Sequence, residues 1–345
     1  MRLLIFTQTV DRTDSSLGYY HAWLAELAKH FEQLTVVALR VGVYDLPAQV
    51  TVVPLRPWGY RARFRTALRV LQLTWRYRKD YDAVFIHMNQ EYLLIAGWLF
   101  RILGKPVFFW RNHYEGSLVT DSAALFCDKI FYTSKSSYTA KYAKAVQMPV
   151  GVDVGSCHLD EPIERPPRSV LFLGRFDRSK RPDLVAEALG ILAKEGSVFT
   201  ATFVGGPSDS ASSFPEEVKA RVAELGIADW VTFVGPVPNT ETYRYYRSHA
   251  VYVNCGKSGM LDKSLFKSIA CGCLPIFTSA DMSEIVGPEY SYRDGDAADL
   301  AQHLEKALAL SPESRTALVR AYEQQAIEAH TLPVLARRLY EEMHL

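Results

Sequence analysis

The amino-acid sequence predicts an α/β protein of two domains, each a parallel sheet covered by helices. Three observations predict it. The chain has 345 residues, which suits two domains of about 150 each. Short apolar runs rich in β-branched and aromatic residues alternate with longer helical patterns. The alternation occurs twice, and a proline-rich stretch without period separates the two series.

The first series reads LLIFTQ (3–8), LTVVAL (34–39), VTVVPL (50–55), AVFIHM (83–88), VFFW (107–110) and KIFYTS (129–134). The second reads VLFLG (170–174), ATFVG (201–205), VTFVG (231–235), VYVNC (251–255) and PIFTS (275–279). These runs are apolar throughout, as strands buried on both faces should be. Helical patterns separate them at 18–31, 61–79, 182–194, 214–225 and 296–310. The βαβα order implies two Rossmann-like domains. The break GSCHLDEPIERPPR, 155–168, contains three prolines and reads as a linker. The expected division is a first domain over 1–150, a linker over 151–168 and a second domain over 169–330. A last helix, PVLARRLYEEMH, lies in 331–345 and is expected to pack back on the first domain.

Composition narrows the class. Net charge is +1, which argues against a whole-chain nucleic-acid binder. No run approaches the roughly 18–20 apolar residues of a membrane-spanning helix; the best, Tyr92–Phe100, is too short. The N-terminus MRLLIFTQTV reads as a first strand, not a signal peptide. Five scattered cysteines without a C-x-x-C pair predict reduced thiols in a cytosolic protein, and neither a disulfide nor a zinc framework.

Ligands of such sheets bind beyond the carboxyl ends of the strands. After 170–174 come Gly174 and four basic residues, Arg175, Arg178, Lys180 and Arg181, with Asp177 the one acid among them, where a helix begins at Pro182. Helix starts favour anions, and Arg175 with Lys180 makes a candidate diphosphate clamp. A solvated basic loop is the plainer alternative. In SGMLDKSLFKSIACGCLPIF (258–277), Asp262 is a candidate N-cap and Gly272 a candidate C-terminal cap. Lys263 and Lys267, four apart, share a helix face and form either a solvated pair or more of a phosphate site. In the first domain the strand ends offer Gly18 and His21, then His87, Asn89 and Glu91, then Arg111 and His113. Residues 46–79 carry eight basic side chains from Arg56 to Lys79, no acidic one, and interleaved Trp58, Phe64 and Trp75. The segment 56–79 is a candidate contact with an anionic membrane surface, or a solvated helix face.

Together VLFLGRFDRSKRPDLVAEAL, ATFVGGPSD, VTFVGPVPNTETYRYYRSHAVYV and GMLDKSLFKSIACGCLPIF resemble the second half of a GT4-family retaining glycosyltransferase of the GT-B fold. MPVGVDV (148–154) resembles the element that ends the family's first domain. The resemblance is strong over 148–310 and weaker before it. It implies two Rossmann-like domains whose sheets face a central cleft, with a nucleotide-sugar donor on the second and the acceptor on the first. It implies Arg175 and Lys180 as the cations that hold the leaving diphosphate, with Gly174, Gly205, Gly18, Asp262, Lys263 and Lys267 around the donor. His113 is the first candidate for a histidine at the reacting sugar, with His87 and His21 next; His21, His87, Asn89 and Glu91 would border the acceptor. It implies no metal and no cofactor beyond a UDP- or GDP-sugar substrate. The family's two carboxylates fall at Gly259 and Lys267 here, and Asp262 would take over the sugar contacts of the first.

The expected function is therefore a glycosyltransferase that extends a glycan or lipid-linked acceptor in cell-envelope polysaccharide synthesis. Its expected location is the cytoplasm, at the inner face of the membrane. The second reading is a non-catalytic binding subunit with a degenerate donor site.

Overall fold

The computed structural model describes residues 1–55, 62–157, 163–207, 209, 211–256 and 260–344. The chain divides into two compact units, 1–151 with 332–345, and 152–331.

The first unit is built on a seven-stranded sheet of order β3-β2-β1-β4-β5-β6-β7. Its strands are β1 (Arg2–Val10), β2 (Gln33–Val41), β3 (Val50–Pro54), β4 (Ala83–His87), β5 (Val107–Trp110), β6 (Lys129–Tyr132) and β7 (Ala145–Gln147). All pair in parallel. Parallel pairing puts every carboxyl end on one edge, and central strands are buried on both faces. Helices α1 (Tyr19–Leu27), α2 (Ala62–Arg76), α3 (Glu91–Ile102) and α4 (Leu118–Ala124) cover them. One apolar layer joins Trp23, Leu24 and Leu27 of α1 to Leu3, Ile5 and Phe85 of the sheet. The other joins Val70 and Leu73 of α2, Leu93 and Phe100 of α3 and Ala123 of α4 to Leu4, Phe6 and Ile86. So α1 lies on one face and α2, α3 and α4 on the other.

The second unit has a five-stranded sheet of order β10-β9-β8-β11-β12. Its strands are β8 (Ser169–Leu173), β9 (Thr200–Val204), β10 (Val231–Gly235), β11 (Val251–Val253) and β12 (Leu274–Ile276). They too are all parallel. Around them run α5 (Pro182–Lys194), α6 (Phe214–Glu224), α7 (Thr242–Ser248), α8 (Lys263–Ala270), α9 (Ala280–Val286), α10 (Ala297–Leu308) and α11 (Pro312–Ala326). Local chemistry fixes their starts. Asp262, Ser279, Asp296 and Ser311 each accept a backbone N–H of the first turn. The last helix, α12 (Leu332–His344), belongs to the first unit and packs on α1 through Leu335, Ala336 and Leu339.

Three expectations change. The helix expected over 18–31 ends at Leu27, because i→i+3 bonds from Lys29 and His30 tighten the turn that buries Phe31. β7, three residues long, is too short to show in the apolar pattern. The cysteines are not all thiols. Cys157 and Cys271 form a disulfide across 114 residues, with Cα atoms 4.7 Å apart. A spacing rule sees only neighbours in sequence, whereas the fold brings the start of the second unit to the end of α8. Cys127, Cys255 and Cys273 stay buried thiols, pushed up to about 12 by burial.

Candidate functional site

In both sheets the strand order reverses once, beside β1 in the first and beside β8 in the second. Such a reversal opens a crevice at the carboxyl ends, and the candidate residues surround it in each unit.

In the second unit, the loop after β8 is laid against the loop after β9. Phe176 N–H donates to Gly206 O at 2.8 Å, and Gly205 N–H to Gly235 O at 2.9 Å. Gly205 has φ +136°, and a Cβ there would sit 1.8 Å from the Gly174 carbonyl oxygen. Only glycine allows that approach. The loop then folds on Asp177, whose Oδ1 accepts from the backbone N–H of Ser179 and of Lys180 at 3.0 and 3.1 Å. Arg181 takes left-handed φ +50° and hands the chain to Pro182 at the first position of α5.

Each of the four basic residues meets a carboxylate. Arg175 reaches Asp177 at 3.3 Å, Arg178 reaches Glu217 at 3.3 Å, and Arg181 reaches Asp294 at 2.8 Å. Lys180 pairs with Asp262. This corrects the reading of a loop opposed by Asp177 alone: the other partners lie 39 to 113 residues away in sequence and carry no local signal. The Lys180–Asp262 pair links the loop after β8 to the start of α8, across the reversal. Burial opposes the charge on Asp262, but Lys180 and the Ser264 N–H win and hold its carboxyl down at about 2. The positive loop is thus preorganised, with its charges held at the carboxyl edge by acids that a stronger anion could displace.

The α8 lysines differ from a simple solvated pair. Burial pushes the Lys263 ammonium well below the usual lysine range, against the pull of Asp262. Lys267 Nζ donates to Thr242 Oγ1 at 2.9 Å and to Asn239 Oδ1 at 3.2 Å. Burial lowers it to about 8, and Asp153 opposes that shift. Gly259 lies outside the described residues.

In the first unit the loops after β1, β4 and β5 are neighbours at one edge. His87 is buried, stacks on Tyr20 with ring centroids 3.8 Å apart, and meets Thr7 Oγ1 through Nδ1 at 3.1 Å. Met88, at φ +69°, turns the chain outward, so that Asn89 and then Glu91, the first residue of α3, follow it. Gly18 precedes α1 in ordinary helical backbone, φ −56°. His21 Nε2 accepts the Asp45 N–H at 3.0 Å, and burial lowers its pKa. His113 is exposed, and its Nδ1 accepts the Glu115 N–H at 3.0 Å. Arg111 beside it donates to Glu115 O at 3.0 Å. Of the three histidines, His113 presents its ring to solvent, while His87 is built into the packing under α1.

The sequence reading missed Asp177 as the organiser of the basic loop. Its signal was available: an Asp two residues before Ser179 in a loop that precedes a helix is an Asx-turn pattern. It also missed Tyr20 as the partner of His87, for which no local signal exists.

Residues 167–309 match the family described as Glycosyl transferases group 1. A D-inositol 3-phosphate glycosyltransferase of Acidothermus cellulolyticus is 32% identical over 172 residues, covering 47% of this chain and 37% of that protein. One of Streptomyces coelicolor is 31% identical over 134 residues, covering 38% of this chain and 28% of that protein. The stretch matched is thus little more than a third of the length of the first relative. Among solved structures, Anabaena Alr3699/HepE in complex with UDP and glucose aligns with a TM-score of 0.77 at 15% identity, covering 100% of this chain and 99% of that one. Sucrose-phosphate synthase from Thermosynechococcus elongatus aligns with a TM-score of 0.77 at 17% identity, over 99% and 97% of the chains. WaaG, a glycosyltransferase involved in lipopolysaccharide biosynthesis, aligns with a TM-score of 0.71 at 14% identity, over 99% of each. Residues 167–309 thus resemble glycosyl transferases group 1, in a chain whose fold is that of the GT-B glycosyltransferases.

Proposed function

We propose that this chain is a retaining glycosyltransferase that works without a metal ion. It would move a sugar from a UDP- or GDP-sugar to a glycan or lipid-linked acceptor in cell-envelope polysaccharide synthesis. The observation that carries this reading is the placement of Arg175 and Lys180 at the carboxyl edge of the second sheet, held there by Asp177 and Asp262. As the donor's glycosidic bond breaks, negative charge grows on the leaving diphosphate. Fixed cations stabilise that charge without reorganising at the moment of reaction. Lys180 would exchange Asp262 for phosphate, which frees the Asp262 carboxylate to accept from a sugar hydroxyl. Gly205 lets the Gly174 carbonyl pack against the loop after β9, which fixes Gly174 and the basic loop beside the donor. His113 would meet the reacting sugar with its exposed ring, and His21, His87, Asn89 and Glu91 would shape the acceptor side.

The first unit supports a lipid-linked acceptor. The outward stripe of α2 carries Phe64, 70% exposed, with Leu68 and Trp75, beside Arg65 and Arg76. Neighbouring α3 and α4 continue it with Leu94, Trp98 and Ile102, then Leu118 and Val119. Aromatic and aliphatic side chains among arginines suit the boundary of an anionic membrane, and so a position at the inner face. No helix among the described residues is long and apolar enough to cross a membrane. Arg56, Trp58 and Arg61 lie outside the described residues.

A second reading has its own observation. Lys267 stands where the resemblance implies a carboxylate, and its ammonium is committed to Thr242 and Asn239. A binding subunit with a degenerate donor site would look like this. Thermal unfolding of the purified chain against UDP, GDP and their sugars separates the two, because a ligand of the folded state raises Tm by mass action. A shift with one nucleotide, lost in Arg175→Ala, supports the transferase. No shift at millimolar ligand overturns it in favour of the binding subunit.

A further inference from the structure

The second unit has a cavity at the opposite edge of its sheet from the basic loop. About 370 Å³ in volume, it is lined by Ile163, Arg165, Arg247, Pro312, Arg315 and Thr316. Arg165 lies four residues before β8, and Arg247 four before β11. These strands are parallel, so the cavity sits at their amino ends.

Three guanidinium groups share this space. Arg165 is bound into the fold: it donates to the carbonyls of Arg247, Cys271 and Gly272, closing the ends of α7 and α8. Arg315 is not accounted for in that way. It is 3% exposed, and its one recorded bond is from Nη1 to Pro167 O at 3.0 Å. A guanidinium offers five N–H donors. Neither Arg165 nor Arg315 has a carboxylate partner among the described residues; burial is the largest influence against the charge on each, a neighbouring guanidinium adds to it, and the Cys273 sulfur opposes it. A buried guanidinium such as Arg315, with two half-buried ones beside it, is unfavourable unless an anion joins it. The start of α11 adds Pro312 and, one turn on, Thr316 to the lining, and its N-terminal dipole favours an anion there.

We propose that this cavity binds a phosphate dianion, either inorganic phosphate or the phosphate of a small phosphorylated metabolite. Arg315 and Arg247 grip the oxygens in the forked geometry that guanidinium groups offer, and the helix start completes the cradle. The volume exceeds what a bare phosphate fills and lies in the range of small-ligand pockets. This site is separate from the proposed donor site, since the length of the sheet lies between them.

The test is thermal unfolding of the full chain in inorganic phosphate against chloride at matched ionic strength, with ribose 5-phosphate as a second probe. Arg175→Ala removes the competing anion site at the carboxyl edge. The expected result is a phosphate-dependent rise in Tm that persists in Arg175→Ala and weakens at least about tenfold in affinity in Arg315→Gln and Arg247→Gln. Arg247 is only half-buried, so Arg247→Gln decides the matter should Arg315→Gln fail to fold. A rise that disappears in Arg175→Ala, that is unchanged in Arg247→Gln, or that never appears up to about 50 mM phosphate overturns the proposal. Tighter binding of ribose 5-phosphate than of phosphate supports it with a metabolite as the ligand; equal binding supports it with phosphate itself.

Discussion

The carboxyl edges of the two sheets are built from different chemistry on the same scaffold. In the second unit the edge is ionic: Arg175 with Asp177, Lys180 with Asp262, Arg181 with Asp294. In the first unit the edge also holds charge, in Arg111, Glu91 and the Arg40–Asp14 pair at 3.7 Å, but its histidines have backbone groups or a hydroxyl as described hydrogen-bond partners: His21 with the Asp45 N–H, His113 with the Glu115 N–H, His87 with Thr7, under the Tyr20 ring. Fixed charges suit a ligand that carries charge of its own. Largely neutral donors and acceptors suit hydroxyls. The fold supplies the position in both cases, and the loop residues decide which kind of molecule each position takes.

The contrast can be broken first where it is steepest. Arg175→Ala should lower sugar transfer by about 10²–10³-fold with the fold intact, the scale seen when one donor to a developing anion is removed. His21→Ala should raise the KM for acceptor and leave nucleotide binding alone. Equal effects of the two on nucleotide affinity would erase the distinction between the edges. Next in size is Gly205→Ala. A side chain at φ +136° facing a backbone oxygen should destabilise the second unit by more than about 3 kcal/mol, read by chemical denaturation.

A related contrast lies on the outer helices. The face of α2, α3 and α4 exposes Phe64, Leu68, Trp75, Trp98 and Ile102, whereas the second unit exposes only Val198, Trp230 and Val234 of comparable size among the described residues. Phe64→Ser with Trp75→Ser should weaken sedimentation with anionic vesicles by about tenfold, from the apolar area withdrawn. Trp230→Ser should leave sedimentation unchanged. A loss with Trp230→Ser as large as with the pair would remove the asymmetry.

The effects of pH sharpen the ionic edge. Asp262 titrates near 2 when folded, below the value of about 3.9 for a free Asp. Its contribution, about 2 kcal/mol, is therefore complete above pH 4 and vanishes as pH falls towards 2. Asp262→Asn, which keeps a capping side chain, should flatten that acid limb. Lys267 gives a slope of the same sign in a second window, from burial of a cation instead of pairing of an anion. Burial puts it at about 8 when folded, below an unfolded lysine, so the unfolded chain holds the extra proton between about pH 8 and 10 and stability rises with pH there. Lys267→Met should remove that rise.

The sequence made the two sheets legible because strands buried on both faces leave runs such as VLFLG and AVFIHM that little else produces. It placed Gly174, Arg175 and Lys180 at a strand end for the same reason. It could not show what those side chains touch. Asp262 is 82 residues from Lys180, and Cys271 is 114 from Cys157. Such partners are set by how the sheet is wound, and no local pattern encodes them. His87 looked like an open ligand at a strand end, yet it lies under Tyr20, because aromatic residues at the start of α1 close over it.

The last helix has a consequence for how the molecule is made. α12 supplies Leu335, Ala336, Leu339 and Met343 to the same apolar layer as Trp23 and Leu27. During synthesis, the layer begun by the first thirty or so residues waits until the whole second unit and then 332–344 have left the ribosome. The second unit, contiguous over 152–331, can fold before the first is finished. A nascent chain halted just short of Leu332 would display an apolar strip along α1, the kind of surface that chaperones hold and that aggregates when they do not.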